Sequence, residues 1–327
     1  MEYGIFDRAV VTIYDLPRTT KQEADGLLST IGDEGLYGQV CRIRTLPGGV
    51  TAEGVCLPDD MAEIWTFYGY HGYVFYRELR VVSERELRAY LAVPLVLAGR
   101  ATDVLAGPRV AAVRLAELER GALLRRLPER EPAPGWAKVT LADGREGYVR
   151  DVALEPVRYS QNAVFTQAAG LPFDAALARA EGCRPEELLP RVLERWHGGS
   201  EAAFRGAVIE TAKKYLGTEY RWGGKSGRGI DCSGLVSSAY MQCGVLIYRD
   251  AKLVEGWPMH AVPFEAKQPG DALYFPGHIA LYLGEGLYLH STGAAASGGV
   301  VYNSLDPQSP LYREDLVKSL YAVGSIF

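Results

Sequence analysis

The chain has 327 residues, 48% of them hydrophobic and 23% charged, with a net charge of -5 and a pI near 5.7. Its length exceeds the usual span of one domain, so two or three domains are expected. The acidic balance and the lack of a basic run argue against a general nucleic-acid binder or a membrane-surface protein, and the best apolar run, residues 89–98, contains Pro94 and falls well short of the ~20 residues a bilayer requires.

That run does not follow a basic amino-terminal stretch either, so it does not read as a signal peptide. Five cysteines (Cys41, Cys56, Cys183, Cys232 and Cys243) show neither a disulfide framework nor C-x-x-C metal pairs. Together these features predict a reducing, cytoplasmic setting. A secreted chain whose export signal has been removed is the alternative.

Along the chain, strand-like runs at 9–14 and 38–44 precede a hairpin pattern in which Trp65 leads to Gly72-Tyr73-Val74 and Leu79. The arrangement recurs: runs at 95–98 and 111–115 precede Trp136, Gly147-Tyr148-Val149 and Leu154. This internal similarity predicts two small β-barrel-like domains at 1–82 and 83–157, against the alternative of one larger all-β domain. From 158 to 200 the pattern turns helical, with helices at 173–180 and 185–196 opened by Pro172 and Pro185, and reads as a connector. The last part, 201–327, reads as a helix at 204–215, a glycine-rich loop, and a second helix capped by Asp231 and stopped at Gly244. Strands follow at 270–275, 278–283, 287–290 and 300–303, which makes an α+β domain.

Cys232 stands at the start of that second helix, where unpaired N–H groups and the macrodipole stabilise a thiolate. The other four cysteines read as small core residues. A cysteine nucleophile needs a base within reach and a third group to orient the base. His278 and His290 flank the turn Gly284-Glu285-Gly286 and meet on one face only if the connection is odd or bulged, the odd connection being the one expected. His278 is then the base and His290 holds its far nitrogen. A lone strand histidine is more often a core residue, and His197 and His260 are read as structural. The segment Gly223-Gly224-Lys225-Ser226 is not a phosphate loop, because Glu219 stands where the first glycine belongs and no strand precedes it.

The ordered set Tyr220-x-Trp222-Gly223-Gly224, Asp231-Cys232-Ser233-Gly234-Leu235, Gly270-Asp271, His278-Ile279-Ala280-Leu281-Tyr282 and His290-Ser291 resembles the NlpC-type cysteine peptidases, papain-like hydrolases of bacterial peptidoglycan peptides. The resemblance spans roughly 205–327, and the paired β modules look like bacterial SH3-type domains. It implies a multidomain α+β protein: two SH3-like β-barrels, a helical connector at 158–200 and a papain-like catalytic domain at 201–327. It assigns Cys232, His278 and His290 as catalytic and suggests that the Tyr220 hydroxyl joins the Cys232 N–H in an oxyanion hole. It further places Asp231 and Ser233 at the site for a free L-Ala amine, with Trp222 in the groove and Tyr70 closing one end of it. A plain helix cap is the other reading of Asp231, and a surface aromatic that of Tyr70. Two departures concern amine recognition: Gln39 stands where some relatives carry glutamate, and Ala251 follows Arg249-Asp250 where some have serine.

The implied activity is a dipeptidyl-peptidase that cuts the γ-D-Glu–diamino acid bond of peptidoglycan fragments, with no metal or other cofactor, in cell-wall recycling. A lysin anchored to intact wall by its SH3-like domains, a non-enzymatic binding module, and lipid acyl transfer are the competing readings.

Overall fold

A computed structural model describes residues 2–128, 133–168 and 170–327. The chain divides into two compact units, one ending at Val157 and the other running from Arg158 to Phe327.

The first unit holds two seven-stranded antiparallel sheets. In spatial order the first contains Ile31–Leu36, Val10–Tyr14, His71–Phe75, Met61–Thr66, Val40–Thr45, Glu2–Phe6 and Leu79–Ser83. The second runs Arg114–Leu118, Thr102–Leu105, Glu146–Arg150, Trp136–Thr140, Leu123–Arg126, Leu95–Ala98 and Leu154–Pro156. Apart from the extra hairpin Thr20–Glu23/Gly26–Ser29, the two sheets use their strands in the same order, so the repeat in the sequence is a repeat of topology. Val11 and Ile13 near one end of the first ladder share a core with Leu79 from the other end, so the ladder folds over on itself. Its terminal strands do not pair among the described residues, so the barrel-like module stays unclosed, as does the second sheet.

The repeated glycines have a steric cause. A Cβ on Gly72 would lie 2.5 Å from Ile13 Cγ2 and 2.8 Å from the Tyr14 carbonyl oxygen. On Gly147 it would lie 2.6 Å from Val104 Cγ1 and 2.9 Å from the Leu105 carbonyl oxygen, the matching places in the second sheet. The two tryptophans are not equivalent, because Trp65 pairs with His71 beside Gly72, whereas Trp136 pairs with Arg150, three places from Gly147.

One element goes beyond the expected ones, and one expected strand shifts. Residues 84–91, partly inside the apolar run, form a helix capped by Ser83, whose Oγ accepts from the Glu86 N–H while Glu86 returns to the Ser83 N–H. The strand expected at 111–115 is Arg114–Leu118.

In the second unit a six-stranded antiparallel sheet has the order His260–Val262, Ala322–Ser325, Ala272–Phe275, His278–Gly284, Leu287–Thr292 and Gly299–Ser304. The helix Cys232–Gln242 is buried along its whole length. Its Leu235, Val236 and Ala239 share a core with Phe204, Val208 and Ala212 of the helix Glu201–Lys213 and with Ile279, Leu281, Leu289 and Val300 of the sheet. Burial on every side demands that polar side chains be satisfied, and Ser237 Oγ donates to the Ser233 carbonyl at 2.6 Å. The segment expected as a connector belongs to this same unit. Leu189, Val192 and Leu193 of the helix Pro185–His197 pack on its core, and His197 Nε2 bonds the Cys243 carbonyl at 2.9 Å. Among the described residues no helix is long and apolar enough to cross a membrane.

Candidate active site

Cys232 is the first residue of the buried helix, and its cap is Asp231, whose carboxylate accepts the Gly234 N–H at 2.5 Å. A Cβ on Gly234 would lie 2.2 Å from the Gly224 carbonyl oxygen, and one on Gly224 would lie 2.5 Å from that of Gly229. These glycines let the loop lie directly on the helix start. Arg249 completes the arrangement: its guanidinium donates to both Asp231 oxygens at 3.1 Å, to Ser233 Oγ at 2.7 Å and to the Gly223 carbonyl at 3.1 Å. Both Asp231 and Arg249 are buried, so the pair is desolvated and geometrically saturated.

The cap reading of Asp231 is met in this arrangement. Asp231 accepts from Arg249, Gly234 and Ser233, and Ser233 accepts from Arg249, so the two residues form the helix cap and the counter-ion of Arg249. Arg249 was visible in the sequence only as part of Arg249-Asp250-Ala251, and its pairing with Asp231 is a product of the fold.

The histidines come from the hairpin His278–Gly284/Leu287–Thr292. Its register pairs Leu281 with Leu289 and Tyr282 with Tyr288, then shifts so that Gly284 meets Leu287. A two-residue turn therefore coexists with a bulge at Leu283, and the extra residue does what the odd connection was expected to do. Continuing the register sets His290 against Ala280, so His278 is its diagonal neighbour on the same face. Their rings are nearly perpendicular, with His278 Nε2 2.7 Å from His290 Nδ1. His290 Nε2 in turn lies 2.8 Å from Asn303 Oδ1 on the next strand, where His290 pairs with Val301 and Asn303 sits on the same face. Sequence reasoning missed Asn303. Its strand was legible, but nothing in a Tyr-Asn-Ser run marks a third partner.

The two halves meet at the start of the strand carrying His278. The N–H of Ile279, next to His278, and that of Ser233 both point to the Cys232 thiol. Ser291 Oγ donates to the Ile230 carbonyl at 2.6 Å, tying the hairpin to the residue before the cap. Burial pushes the Cys232 thiol up to about 11, and the Asp231 charge adds to this against the two N–H groups and Arg249. Burial draws His278 down to about 3, helped by His290, and His290 down to about 4 against the bond from Asn303. Burial therefore favours the neutral form of both the thiol and the imidazole. Desolvation thus works against the thiolate that the helix start and an adjacent imidazolium favour, while the N–H groups of Ser233 and Ile279 work for it.

Tyr220 lies close enough for the Cys232 and Asp231 charges to add to the burial that raises its phenol well above its ordinary value, so its hydroxyl stays protonated and able to donate. As the first helical residue, Cys232 has an N–H without an intrahelical acceptor. Trp222 is 66% exposed on the loop. Tyr70 belongs to the first unit, where its hydroxyl donates to Asp15 Oδ1 at 2.7 Å. Of the other cysteines, Cys41 and Cys243 are buried, but Cys56 is exposed and Cys183 half-buried, which corrects their reading as core residues. Among the described residues no group of His, Cys, Asp or Glu side chains is placed to hold a metal ion.

A cysteine on a helix start with a histidine base held by a second histidine defines a cysteine peptidase. The family model for the NlpC/P60 family matches residues 217–318. The chain is 36% identical over 298 residues to dipeptidyl-peptidase 6 of Lysinibacillus sphaericus, covering 90% of this chain and 92% of that protein. The chain belongs to the NlpC/P60 family. It is also 38% identical over 96 residues to the γ-D-glutamyl-L-lysine dipeptidyl-peptidase of Bacillus subtilis, 26% of this chain and 31% of that one. In fold it matches a crystal structure of an NlpC/P60 family protein from Bacillus cereus with a TM-score of 0.64, at 20% identity and 98% coverage of both chains.

Proposed function

We propose that this peptidase hydrolyses the γ-D-glutamyl–diamino acid bond of peptidoglycan-derived peptides that carry a free N-terminal L-Ala, and that it serves cell-wall recycling in the cytoplasm. The observation that carries this reading is the 36% identity to a dipeptidyl-peptidase along 90% of the chain, well beyond the catalytic segment. As the substrate docks, Cys232 Sγ attacks the γ-carbonyl of D-Glu while its proton passes to His278. The oxyanion takes hydrogen bonds from the Tyr220 hydroxyl and the Cys232 N–H. His278 then gives that proton to the leaving amine as the C–N bond breaks, and a thioester remains. Water attacks the thioester, passing its proton through His278 to the departing Sγ, which restores the thiol.

The test is hydrolysis of L-Ala-γ-D-Glu-L-Lys and its diaminopimelate counterpart, each with a free and with an acetylated amino terminus. Cleavage restricted to free-amine peptides is expected. Equal cleavage of the capped peptides would replace this reading with that of a hydrolase of intact wall. No cleavage of any of them would exclude both.

A further inference from the structure

We infer that Asn303 is a positioning residue of the peptidase reaction: its side-chain amide fixes the tautomer of both histidines, so that His278 presents an unprotonated Nδ1 to the Cys232 thiol. The inference rests on the cysteine-peptidase chemistry assigned above.

The amide itself has one orientation. Asn303 Nδ2 can only donate, and it reaches the Leu311 carbonyl at 2.8 Å, which turns Oδ1 towards His290 Nε2. The Leu311 carbonyl is held in place, since it also accepts the Ser304 N–H at 3.0 Å, while the Leu311 N–H donates to Ser309 Oγ at 3.2 Å. A carbonyl oxygen only accepts, so His290 Nε2 must carry a hydrogen. Neutral imidazole has a single N–H, so His290 Nδ1 is an acceptor. It takes the Nε2–H of His278 across 2.7 Å, and the lone pair of His278 then sits on Nδ1. Without the amide, His290 can carry its hydrogen on Nδ1 and donate to His278 Nε2. His278 Nδ1 would then be protonated and unable to accept from the thiol.

The transfer balances without any proton leaving the chain of groups. The Cys232 S–H bond breaks, an N–H forms at His278 Nδ1, and the imidazolium keeps its Nε2–H on His290. A carboxylate in place of the amide would hold the same tautomer but would add a negative charge beside the histidines. The charged and titratable groups that already act on them are Arg313 and Asp315, paired at 2.6 Å, and His290 acts on His278; the Tyr288 ring lies 5.2 Å from that of His290.

The experiment compares Asn303→Ala and Asn303→Asp in the full chain by two readouts that need no substrate. Nitrogen-15 NMR of labelled histidines reports the tautomers. The pH–rate profile of iodoacetamide alkylation at Cys232, followed by peptide mass spectrometry because Cys56 is exposed and reacts as well, reports base function. Failure of the substrate proposal would leave both readouts intact. Wild-type protein should show the Nε2–H form at His278 and His290. Asn303→Ala should mix the tautomers and slow alkylation by roughly 10-fold, the scale of one lost hydrogen bond. Asn303→Asp should keep the wild-type tautomers and restore the rate, with the acid limb moved to higher pH by about 1 unit or more. Unchanged tautomers in Asn303→Ala would overturn the inference. So would an Asn303→Asp protein as slow as Asn303→Ala with its acid limb unmoved.

Discussion

The cysteine half of the site is held by charges and the histidine half by neutral groups. At the helix start a buried Arg249–Asp231 pair locks the loop, the cap and Ser233 together. Its two charges act on the thiol in opposite directions, Asp231 raising and Arg249 lowering its pKa, so Arg249 offsets part of the field of the carboxylate that it holds in place. On the hairpin, His278, His290 and Asn303 form a line of uncharged hydrogen-bonding groups from three adjacent strands. The difference teaches that rigidity and proton transfer are assigned to different chemistry. An ion pair resists deformation because breaking it strands a buried charge, whereas an uncharged relay can gain a proton on demand.

The comparison can be broken most forcefully at the reacting atoms. Cys232→Ala removes the nucleophile and should lower peptide turnover by about 10⁴-fold or more with little change in stability, measured as single-turnover hydrolysis. His278→Gln retains polarity but cannot serve as base, and should cost about 10³-fold in kcat, again with a folded protein by circular dichroism.

The charged half predicts a different signature. Arg249→Met leaves the Asp231 carboxylate buried without its counter-ion and should destabilise the protein by about 3–5 kcal/mol in urea unfolding, provided the mutant folds. Adding Asp231→Asn to that variant should recover part of the loss, and a double mutant no more stable than the single would show that the pair is not coupled.

The smallest effect concerns acid. His278 and His290 bind protons less readily in the folded chain, at about 3 and about 4, than their ordinary value near 6.5. The unfolded chain therefore binds more protons in this window, and stability is full above about pH 6.5 and falls as the pH drops towards the folded values. Thermal midpoints should decline between pH 6.5 and pH 4 more steeply in wild type than in His278→Gln. Equal slopes would show that the buried histidine is not a source of acid sensitivity.

The nucleophile was legible because its setting is local. An Asp-Cys-Ser-Gly run after a glycine-rich loop announces a capped helix, and the cap is a bond spanning three residues. The histidines were legible as types, and their shared face followed from strand alternation with a slip in register. The route was different, a bulge beside a two-residue turn, because the position of a bulge depends on packing and not on a residue pattern. Asn303 and Arg249 were not legible as partners. Each lies on an element whose approach to the site is decided by tertiary contacts, and their residue types are ordinary at such positions. The same limit appears in the first unit, where the repeated glycines marked equivalent strands but the tryptophans, expected to match, did not.

By itself the sequence determined the repeat in the β modules, the helix that presents Cys232 and the pairing of two histidines, because strand alternation and helix capping are properties of neighbouring residues. Tertiary structure alone decided that Asp231 answers to Arg249, that burial favours the neutral thiol and imidazole, and that Asn303 bonds His290. Desolvation and diagonal contact across strands depend on what the completed fold brings close, and no short segment carries that information.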